Sequence, residues 1–280
     1  MNRRTFLRWT AGATGLAGLG GYTYGFEPHW VDVTHRELPV ARLPEALRGA
    51  RLVQISDLHV GARVDDAYIV DCLRKVRDLQ PDLLAVTGDV LDLRGQRGDR
   101  PFGQLREVLG HLPRGRFGTV AVLGNHDYGA GWSQPAVARR VADELERAGA
   151  AVLRNECLAA QGLDLVGVDD LMARRAEPAA ALARRSSPAA LALCHNPDTL
   201  DARPWLDYEG YVLAGHTHGG QCRPPFLAPP ILPVRNRRYA TGEVAVGGGL
   251  TLYVNRGLGH LLRVRFNARP EITVFTLRRA

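Results

Sequence analysis

From residue 51 onward, short runs of apolar residues alternate with longer segments in which apolar residues recur every three or four positions. Short apolar runs are typical of buried strands, and the longer periodic segments are typical of amphipathic helices that cover them. The pattern predicts strands at 51–56, 83–87, 119–123, 163–168, 190–194 and 211–214. It predicts helices at 66–80, 102–112, 134–148 and 177–185.

The order of these elements indicates the fold class. Alternation of strands and helices is typical of an α/β fold. Two later strands, at 250–254 and 271–277, follow without a helical pattern between them, which favours two sheets sandwiched between helices. With 280 residues and 45% hydrophobic content, the chain can bury a substantial core. We therefore expect a single domain over residues 26–280.

The first 25 residues differ from the rest. Arg3 and Arg4 are followed by Thr-Phe-Leu and then by a weakly apolar, glycine-rich stretch. Paired arginines in this context resemble a twin-arginine export signal, and the stretch is too short and glycine-rich for a spanning helix. We expect residues 1–25 to be a signal or anchor segment recognised by the twin-arginine machinery. The protein would then be periplasmic or anchored at the outer face of the inner membrane.

The charge balance changes this picture little. The net charge is +7, from 36 Lys and Arg against 29 Asp and Glu, and Lys75 is the single lysine. There is no run of five basic residues, so we favour a solvated arginine-rich surface over a dedicated polyanion site. We expect no nucleic-acid partner, although a basic surface favours the approach of anionic substrates.

The four cysteines form no C-x-x-C pair, which argues against a zinc knuckle and a disulfide framework. We interpret Cys72 and Cys157 as buried small hydrophobic residues. Cys194 and Cys222 lie next to candidate metal ligands, and their role stays open.

Metal-binding side chains directly follow five of the predicted strands. They are Asp57 and His59, then Asp89, then Asn125 with His126 and Asp127, then His195, and last His216 with His218. The carboxyl ends of strands in an α/β sheet border one crevice, so these side chains should converge there. A single histidine after a strand is usually structural. Five polar groups at successive strand ends indicate a shared site.

The residue types predict the kind of site. Carboxylate, imidazole and amide donors together suit Mn²⁺, Fe²⁺ or Zn²⁺ rather than a thiolate zinc site. The seven candidate ligands exceed the number that one metal ion can bind while it also holds a water molecule. They are Asp57, His59, Asp89, Asn125, His195, His216 and His218. Two divalent ions that share one bridging carboxylate fit better, and Asp89 is the natural bridge.

In this order the motifs Asp-x-His, Gly-Asp, Gly-Asn-His-Asp, a lone His and Gly-His-x-His resemble the calcineurin-like metallophosphoesterase superfamily over residues 51–220. The segments 27–29, 215–221, 253–259 and 265–271 are similar to its exported YkuE/YaeI-like branch, whereas the loop 259–265 departs from it. The resemblance implies a four-layer αββα sandwich of two mixed β-sheets flanked by helices. It also implies one ion held by Asp57, His59, Asp89 and His218, and another held by Asp89, Asn125, His195 and His216.

Such a site would hydrolyse phosphodiester or pyrophosphate bonds through a hydroxide that bridges the metals. We expect His126 to protonate the leaving oxygen or stabilise the transition state, and Asp127 to orient its imidazole. Asp92 is another candidate to support the site. The alternatives are a phosphomonoesterase or nucleotidase, and a non-catalytic scaffold that binds the cell envelope.

The loop 224–232 is rich in proline and unusually apolar, and it is flanked by Arg223, Arg235, Arg237 and Arg238. It could grip a lipid chain, contact a membrane surface, or pack as a cover over the core. The partner would be a small-molecule or lipid phosphoester. By resemblance, a lipid-linked substrate such as UDP-2,3-diacylglucosamine is compatible with this loop.

Overall fold

The computed structural model describes residues 2–96 and 98–280. In the first helix, the side chains of residues 4–8, 11–13 and 16 are outside the described part. Most of the proposed twin-arginine motif falls on those side chains and lies outside the described part. The α-helices are α1 (Arg3–Gly21), α2 (Asp66–Asp78), α3 (Arg100–Leu109), α4 (Pro135–Arg147), α5 (Pro178–Leu182) and α6 (Thr199–Ala202). Across the described residues, no helix combines the length and the apolar character needed to cross a membrane.

The strands form two six-stranded sheets and one small pair. They are β1 (Asp32–Val40), β2 (Arg51–Ile55), β3 (Val60–Gly61), β4 (Leu83–Thr87), β5 (Leu91–Asp92), β6 (Thr119–Val122), β7 (Ala151–Val152), β8 (Glu156–Ala160), β9 (Leu163–Gly167), β10 (Ala190–Leu193), β11 (Gly210–Ala214), β12 (Gly242–Gly247), β13 (Leu250–Val254) and β14 (Glu271–Arg279).

Both large sheets are mixed. The first has the order β1-β14-β2-β4-β6-β7, and β14 runs antiparallel to β2 but parallel to β1. The second has the order β12-β13-β11-β10-β9-β8, with antiparallel pairs at both edges. β3 pairs with β5 in the small sheet. In each large sheet the central strands are parallel, so their carboxyl ends point toward one edge.

Side chains alternate between two cores along the central strands, as the pleat of a strand requires. Leu84 and Val86 of β4 pack with the helices α2, α3 and α4, whereas Leu83 and Ala85 pack with residues of the second sheet. A third core lies between the second sheet and α5 and α6. The layer order is therefore helix, sheet, sheet, helix, and the predicted fold class is confirmed.

The helix α2 illustrates why the sequence folds this way locally. The Asp65 side chain accepts a hydrogen bond from the Ala67 N–H and caps the first turn. The buried residues Ile69, Leu73 and Val76 recur at helical spacing and face the first sheet. Pro81 follows the helix, so the chain cannot continue it.

Of the four cysteines, one lies in surroundings other than predicted. Cys72 is buried as predicted, but Cys157 is only half-buried because β8 is an edge strand of the second sheet. Cys194 is fully buried, and burial raises the pKa of its thiol. The Cys222 thiol is half-buried.

Candidate metal centre

The two sheets deliver the candidate ligands to a common edge. Asp57 and His59 follow β2, Asp89 follows β4 and Asn125 follows β6, all in the first sheet. His195 follows β10, and His216 and His218 follow β11, both in the second sheet. All seven side chains are at most 5% exposed.

A first group brings together Asp57, His59 and His218. The Nε2 atoms of His59 and His218 face each other at 3.1 Å. Asp57 Oδ1 lies 3.4 Å from His218 Nε2 and 3.8 Å from His59 Nε2. Three possible donor atoms therefore point at one small buried volume.

A second group brings together Asp89, His195 and His216. Asp89 Oδ2 lies 3.1 Å from His195 Nε2, which lies 3.1 Å from His216 Nδ1. The same Asp89 oxygen is 3.7 Å from His59 Nε2 in the first group. Asp89 is thus placed between the two groups, in the position expected of a bridging carboxylate.

The backbone around these residues is unusual. Asp57, His59, Asp89, His216 and His218 all adopt positive φ angles, between 48° and 73°. L-residues rarely occupy this left-handed region, and such outliers cluster at functional sites, where the surrounding structure offsets their cost. The loops after β2, β4 and β11 are bent so that their side chains converge.

Main-chain carbonyl groups orient two of the imidazoles. His195 Nδ1 lies 2.8 Å from Thr87 O, and His216 Nε2 lies 3.0 Å from Pro233 O. A carbonyl oxygen can only accept, so each of these nitrogens carries the proton and donates. The other nitrogen of each ring, His195 Nε2 and His216 Nδ1, points into the site and would present its lone pair to a bound metal.

Burial and neighbouring charges set the protonation of the site. Burial lowers the pKa of His59 and of His216 to about 3, and it holds the pKa of His218 well below its ordinary value. These imidazoles are neutral at neutral pH and can bind a cation. Burial also acts against the charge on His195, but contact with Asp89 raises the pKa of His195 to about 10, so a metal must displace its proton.

The pKa values of the two carboxyl groups, Asp57 and Asp89, are shifted in opposite directions. Burial raises the pKa of Asp57 to about 6, because the charged form loses hydration. Burial acts in the same direction on Asp89, yet His195 and His126 hold the pKa of Asp89 well below its ordinary value. Burying two carboxylate charges close together is costly, and bound cations would offset that cost.

The donor set fits two divalent ions. Asn125 Oδ1 and His59 Nδ1 are buried without a hydrogen-bond partner in the described part of the chain. A buried amide oxygen without a donor is costly, whereas a metal ion at that point would satisfy it. Carboxylate, imidazole and amide groups together match intermediate divalent metals. The residue clusters can therefore bind two metal ions.

His126 lies between the first group and an open cavity. Its ring meets that of His59 edge-on with 5.0 Å between centroids, and its side chain is 15% exposed. The cavity has a volume of about 1030 Å³ and is bordered by Asp92, Arg94, Trp132 and Leu261 beside His126. Of the residues predicted to act in the site, His126 is thus placed where a bound molecule could reach it.

Asp127, which the sequence predicted to orient the His126 imidazole, binds main-chain N–H groups instead. Its Oδ1 accepts hydrogen bonds from the N–H groups of Val90 and Leu91, and its Oδ2 accepts one from Gly124. These bonds tie the loop after β4 to the loop after β6. Asp92 is the carboxylate that faces the His126 ring, with 3.8 Å between Asp92 Oδ1 and His126 Nδ1.

Sequence reasoning did not single out Arg265, which is fully buried behind His218. Its guanidinium donates to the carbonyl groups of Ala268 and Gly259, and Nη2 lies 3.4 Å from His218 Nδ1. These contacts hold the loop after β13 against the first group of ligands. The contacts join residues that are adjacent only in the folded chain, so no local pattern signals them.

Comparisons with known proteins agree with this site. The family model for calcineurin-like phosphoesterases matches residues 50–220. The chain is 34% identical to the "uncharacterized metallophosphoesterase YkuE" of Bacillus subtilis, over 99% of this chain and 98% of that protein. It is 31% identical to the "phosphodiesterase YaeI" of Escherichia coli, over 99% of both. It is 29% identical to the "UDP-2,3-diacylglucosamine pyrophosphatase LpxG" of Chlamydia trachomatis, over 88% of this chain and 89% of that protein.

The match covers the strands and loops that carry every candidate ligand, from Asp57 to His218. The predicted resemblance to this family and to its YkuE/YaeI-like branch is confirmed. The chain belongs to the calcineurin-like phosphoesterase family and is a metal-dependent phosphoester hydrolase.

Proposed function

We propose that the protein hydrolyses phosphodiester or pyrophosphate bonds, and that its substrate is lipid-linked. The observation that carries the proposal is the position of His126, between the first group of ligands and a cavity with both polar and apolar walls. The names of two relatives support the bond type, since one is a phosphodiesterase and another is a pyrophosphatase acting on UDP-2,3-diacylglucosamine.

In this mechanism Asp57, His59, Asp89 and His218 would hold one divalent ion, and Asp89, Asn125, His195 and His216 would hold the other. Manganese, zinc and iron all suit these donors. When bound, such a pair lowers the pKa of a water molecule and offsets charge on phosphoryl oxygens.

The remaining steps belong to the side chains around the cavity. The His126 imidazole would donate a proton to the leaving oxygen. The Asp92 carboxylate, which faces Nδ1 of that ring at 3.8 Å, would help to orient the imidazole. Arg94 forms an ion pair with Asp92 at 2.5 Å and borders the cavity, so it would attract an anionic substrate.

The lipid-linked part of the proposal is supported by the apolar borders of two cavities. Trp132 and Leu261 border the cavity next to His126. Leu232, at the end of the proline-rich loop, and Val234, just after it, border a second cavity of about 530 Å³ together with Met172. Acyl chains could lie against such walls while a phosphoryl group reaches His126.

The test is hydrolysis by the protein loaded in turn with Mn²⁺, Zn²⁺ and Fe²⁺. The substrates are bis-p-nitrophenyl phosphate, p-nitrophenyl phosphate and UDP-2,3-diacylglucosamine in detergent, with His126→Ala as the matched control. We expect turnover of the diester and of the lipid-linked pyrophosphate. Turnover of p-nitrophenyl phosphate alone would reassign the protein as a phosphomonoesterase or nucleotidase. No turnover by any loaded form would favour a scaffold that binds the envelope.

We further propose that residues 1–25 direct export by the twin-arginine route and that residues 26–280 form the single catalytic domain. The protein would then act in the periplasm or at the outer face of the inner membrane. Paired arginines before Phe6 and Leu7 support this proposal. Changing Arg3 and Arg4 together to lysine should retain the protein in the cytoplasmic fraction, and unchanged export would contradict the route.

A further inference from the structure

Three segments next to the metal centre carry exposed apolar side chains. They belong to residues 22–26, to the proline-rich loop 224–232 with the residues on either side of it (221–235), and to the loop 260–267. We call the large exposed apolar side chains of these segments the apolar rim: Tyr24, Phe26, Phe226, Leu227, Ile231 and Leu262. Single exposed apolar residues are common on protein surfaces, whereas a connected patch marks an interaction site.

Hydrogen bonds connect the three segments, so the rim side chains belong to one connected region of the fold. Gln221 Nε2 donates to Leu262 O at 2.8 Å, and Arg223 N donates to Phe266 O at 2.8 Å. Arg265 N donates to Thr23 O at 2.9 Å. The Arg263 guanidinium lies 5.2 Å from the centre of the Tyr24 ring.

Phe226 shows that the rim side chains are not packed against the rest of the protein. Its side chain is fully exposed, although it belongs to one of the largest apolar residue types. Its φ angle of 66° lies in the left-handed region, which a bulky residue seldom adopts. The loop thus presents an aromatic ring to the surroundings at a backbone cost, and packing against the protein does not offset that cost.

The charge of the rim complements an anionic partner. Extended by a few residues to 20–26, 221–238 and 259–269, the three segments contain no Asp or Glu. Their arginines are Arg223, Arg235, Arg237, Arg238, Arg263, Arg265 and Arg269. Arg265 is buried, and Arg269 forms an ion pair with Asp32. The other five form no ion pair with a carboxylate among the described residues.

Acidic side chains next to these segments bind groups of the protein itself, and the buried Glu27 accepts the Ala268 N–H at 2.7 Å. Asp198 accepts the N–H groups of Arg235 and Asn236, and Asp201 accepts hydrogen bonds from Asn236 and Tyr239. These carboxylates hold the backbone of the loop in place and do not pair with its guanidinium groups. The arginines of the rim therefore keep their charge available for an external anion.

Residues next to the rim border two cavities, one of which contains His126. Leu261, next to Leu262, borders the cavity that contains His126. Leu232 and Val234, next to Ile231, border the second cavity. Pro233 O accepts the hydrogen bond from His216 Nε2, so the proline-rich loop connects directly to a candidate ligand.

We propose that the apolar rim docks on an anionic lipid bilayer, with the cavity that contains His126 facing the headgroups. The apolar side chains would enter the boundary between headgroups and acyl chains, and the arginines would contact lipid phosphates. Delivery of a lipid-linked substrate from that bilayer rests on the proposed function, whereas the docking itself does not.

The test is co-sedimentation of the metal-loaded full-length protein with vesicles, without any substrate. Vesicles of phosphatidylglycerol and phosphatidylcholine are compared with vesicles of phosphatidylcholine alone. The variants are the triple change Phe226→Ser, Leu227→Ser and Ile231→Ser, and the single change Leu262→Ser. The matched control is Leu206→Ser, since Leu206 is 62% exposed and Leu262 is 65% exposed. Leu206 precedes β11, at the end of that strand opposite to His216.

We expect binding to the anionic vesicles, weakened at about 0.5 M salt because the headgroup charge is screened. The triple variant should lose about tenfold or more of its partition coefficient, because three apolar side chains no longer leave water. Removing one arginine, as in Arg263→Gln, should cost about fivefold. The Leu206→Ser control should bind as the unaltered protein does, and each variant should keep its melting temperature.

Three results would overturn the proposal. Rim variants that bind as well as the unaltered protein would assign membrane contact to another part of the chain. Equal binding to both vesicle types would remove the role of the arginines. A dimer in light scattering that the triple variant dissociates would assign the rim to a second copy of the chain. Hydrolysis of a water-soluble diester is assayed separately, so loss of docking and loss of catalysis are distinguishable.

Discussion

Asp89 shows how one side chain can serve two ligand groups. Its Oδ2 lies close to His195 and within 3.7 Å of His59, while its Oδ1 accepts the His126 N–H at 2.8 Å. The carboxylate is therefore held in one orientation by a backbone donor. That orientation points one oxygen at both groups.

We expect Asp89→Asn to lower the occupancy of both ions, because an amide carries no charge to share between two cations. The bound metal should fall from two ions per chain to fewer than one, measured by elemental analysis after gel filtration. Asn125→Ala is the comparison, since the proposed ligand sets predict that it weakens one ion. Retention of two ions at unchanged affinity by Asp89→Asn would contradict the bridging role.

His126→Ala should keep both ions and lose turnover. The His126 ring is not a member of either proposed ligand set, and loss of a proton donor typically costs 10²- to 10⁴-fold in rate. The measurement is kcat on a phosphodiester together with metal content of the same sample. Loss of metal in this variant would reassign His126 as a ligand.

At the scale of residues, the sequence predicted the types and positions of the candidate ligands because each follows a recognisable strand. It could not predict the partners of Asp127, because its three donors are main-chain N–H groups of two loops that meet only in the folded chain. The orientation of His195 by Thr87 O depends on a main-chain group in the same way.

At the scale of elements, the loop after β6 passes very close to Asp89. A Cβ atom added at Gly124 would lie 2.2 Å from Asp89 Oδ1 and 2.6 Å from its backbone nitrogen. Glycine is required here for close approach, because any side chain would displace the carboxylate. The spacing between the loops after β4 and β6 therefore depends on this position.

We expect Gly124→Ala to weaken metal binding by about tenfold or more, as displacement of a group that supports a ligand does. Gly103→Ala is the matched control, because nothing lies within 4 Å of its Cβ position in α3. That control should bind metal normally and gain roughly 0.5–1 kcal/mol in stability, since alanine favours a helix interior over glycine. Calorimetric titration with Mn²⁺ measures the metal affinity of the two variants, and thermal unfolding measures the stability of Gly103→Ala. Equal metal affinities of the two variants would contradict the need for glycine at position 124.

An ion pair joins α3 to α4 at the outer face of the first sheet. Arg106 donates to both carboxylate oxygens of Glu144, at 2.8 and 2.9 Å, and Arg147 donates to the same carboxylate. Hydrogen bonds from Arg106 hold the pKa of Glu144 below its ordinary value of 4.5. The folded state therefore favours the ionised form.

The stability from this pair is present above pH 4.5 and is lost as the pH falls through the lower pKa of the folded state. Glu144→Gln should accordingly lower the melting temperature at pH 7, and the difference should narrow below about pH 4.5. Metal-free protein is used so that metal release does not contribute. A difference independent of pH would contradict this account.

The sequence predicted the central strands and the long helices because their apolar patterns are strong. It missed β1 and β12, whose residues are largely exposed or half-buried because both strands lie at sheet edges. The helix predicted at 177–185 is shorter, Pro178–Leu182. Sheet order depends on contacts between distant residues and has no local signature.

At the scale of the whole molecule, the metal centre joins the two sheets. Bound ions stabilise the folded state because the unfolded chain does not assemble their ligands. We expect removal of metal by a chelator to lower the melting temperature, and Mn²⁺ or Zn²⁺ to restore it. A free metal concentration about a thousandfold above Kd should raise the free energy of unfolding by roughly 4 kcal/mol. Asp89→Asn should show a smaller shift, and equal melting temperatures with and without metal would contradict the dimetal site.

The position of β14 has a consequence for biosynthesis. This strand lies between β1 and β2, and its residues Thr273–Thr276 pair with β2. A nascent chain that has not yet reached residue 271 leaves the edge of β2 unpaired, although the Asp57 and His59 loop has long emerged. The first sheet therefore closes only after residue 276 has been translated, and until then the loop with Asp57 and His59 lies beside an unpaired strand.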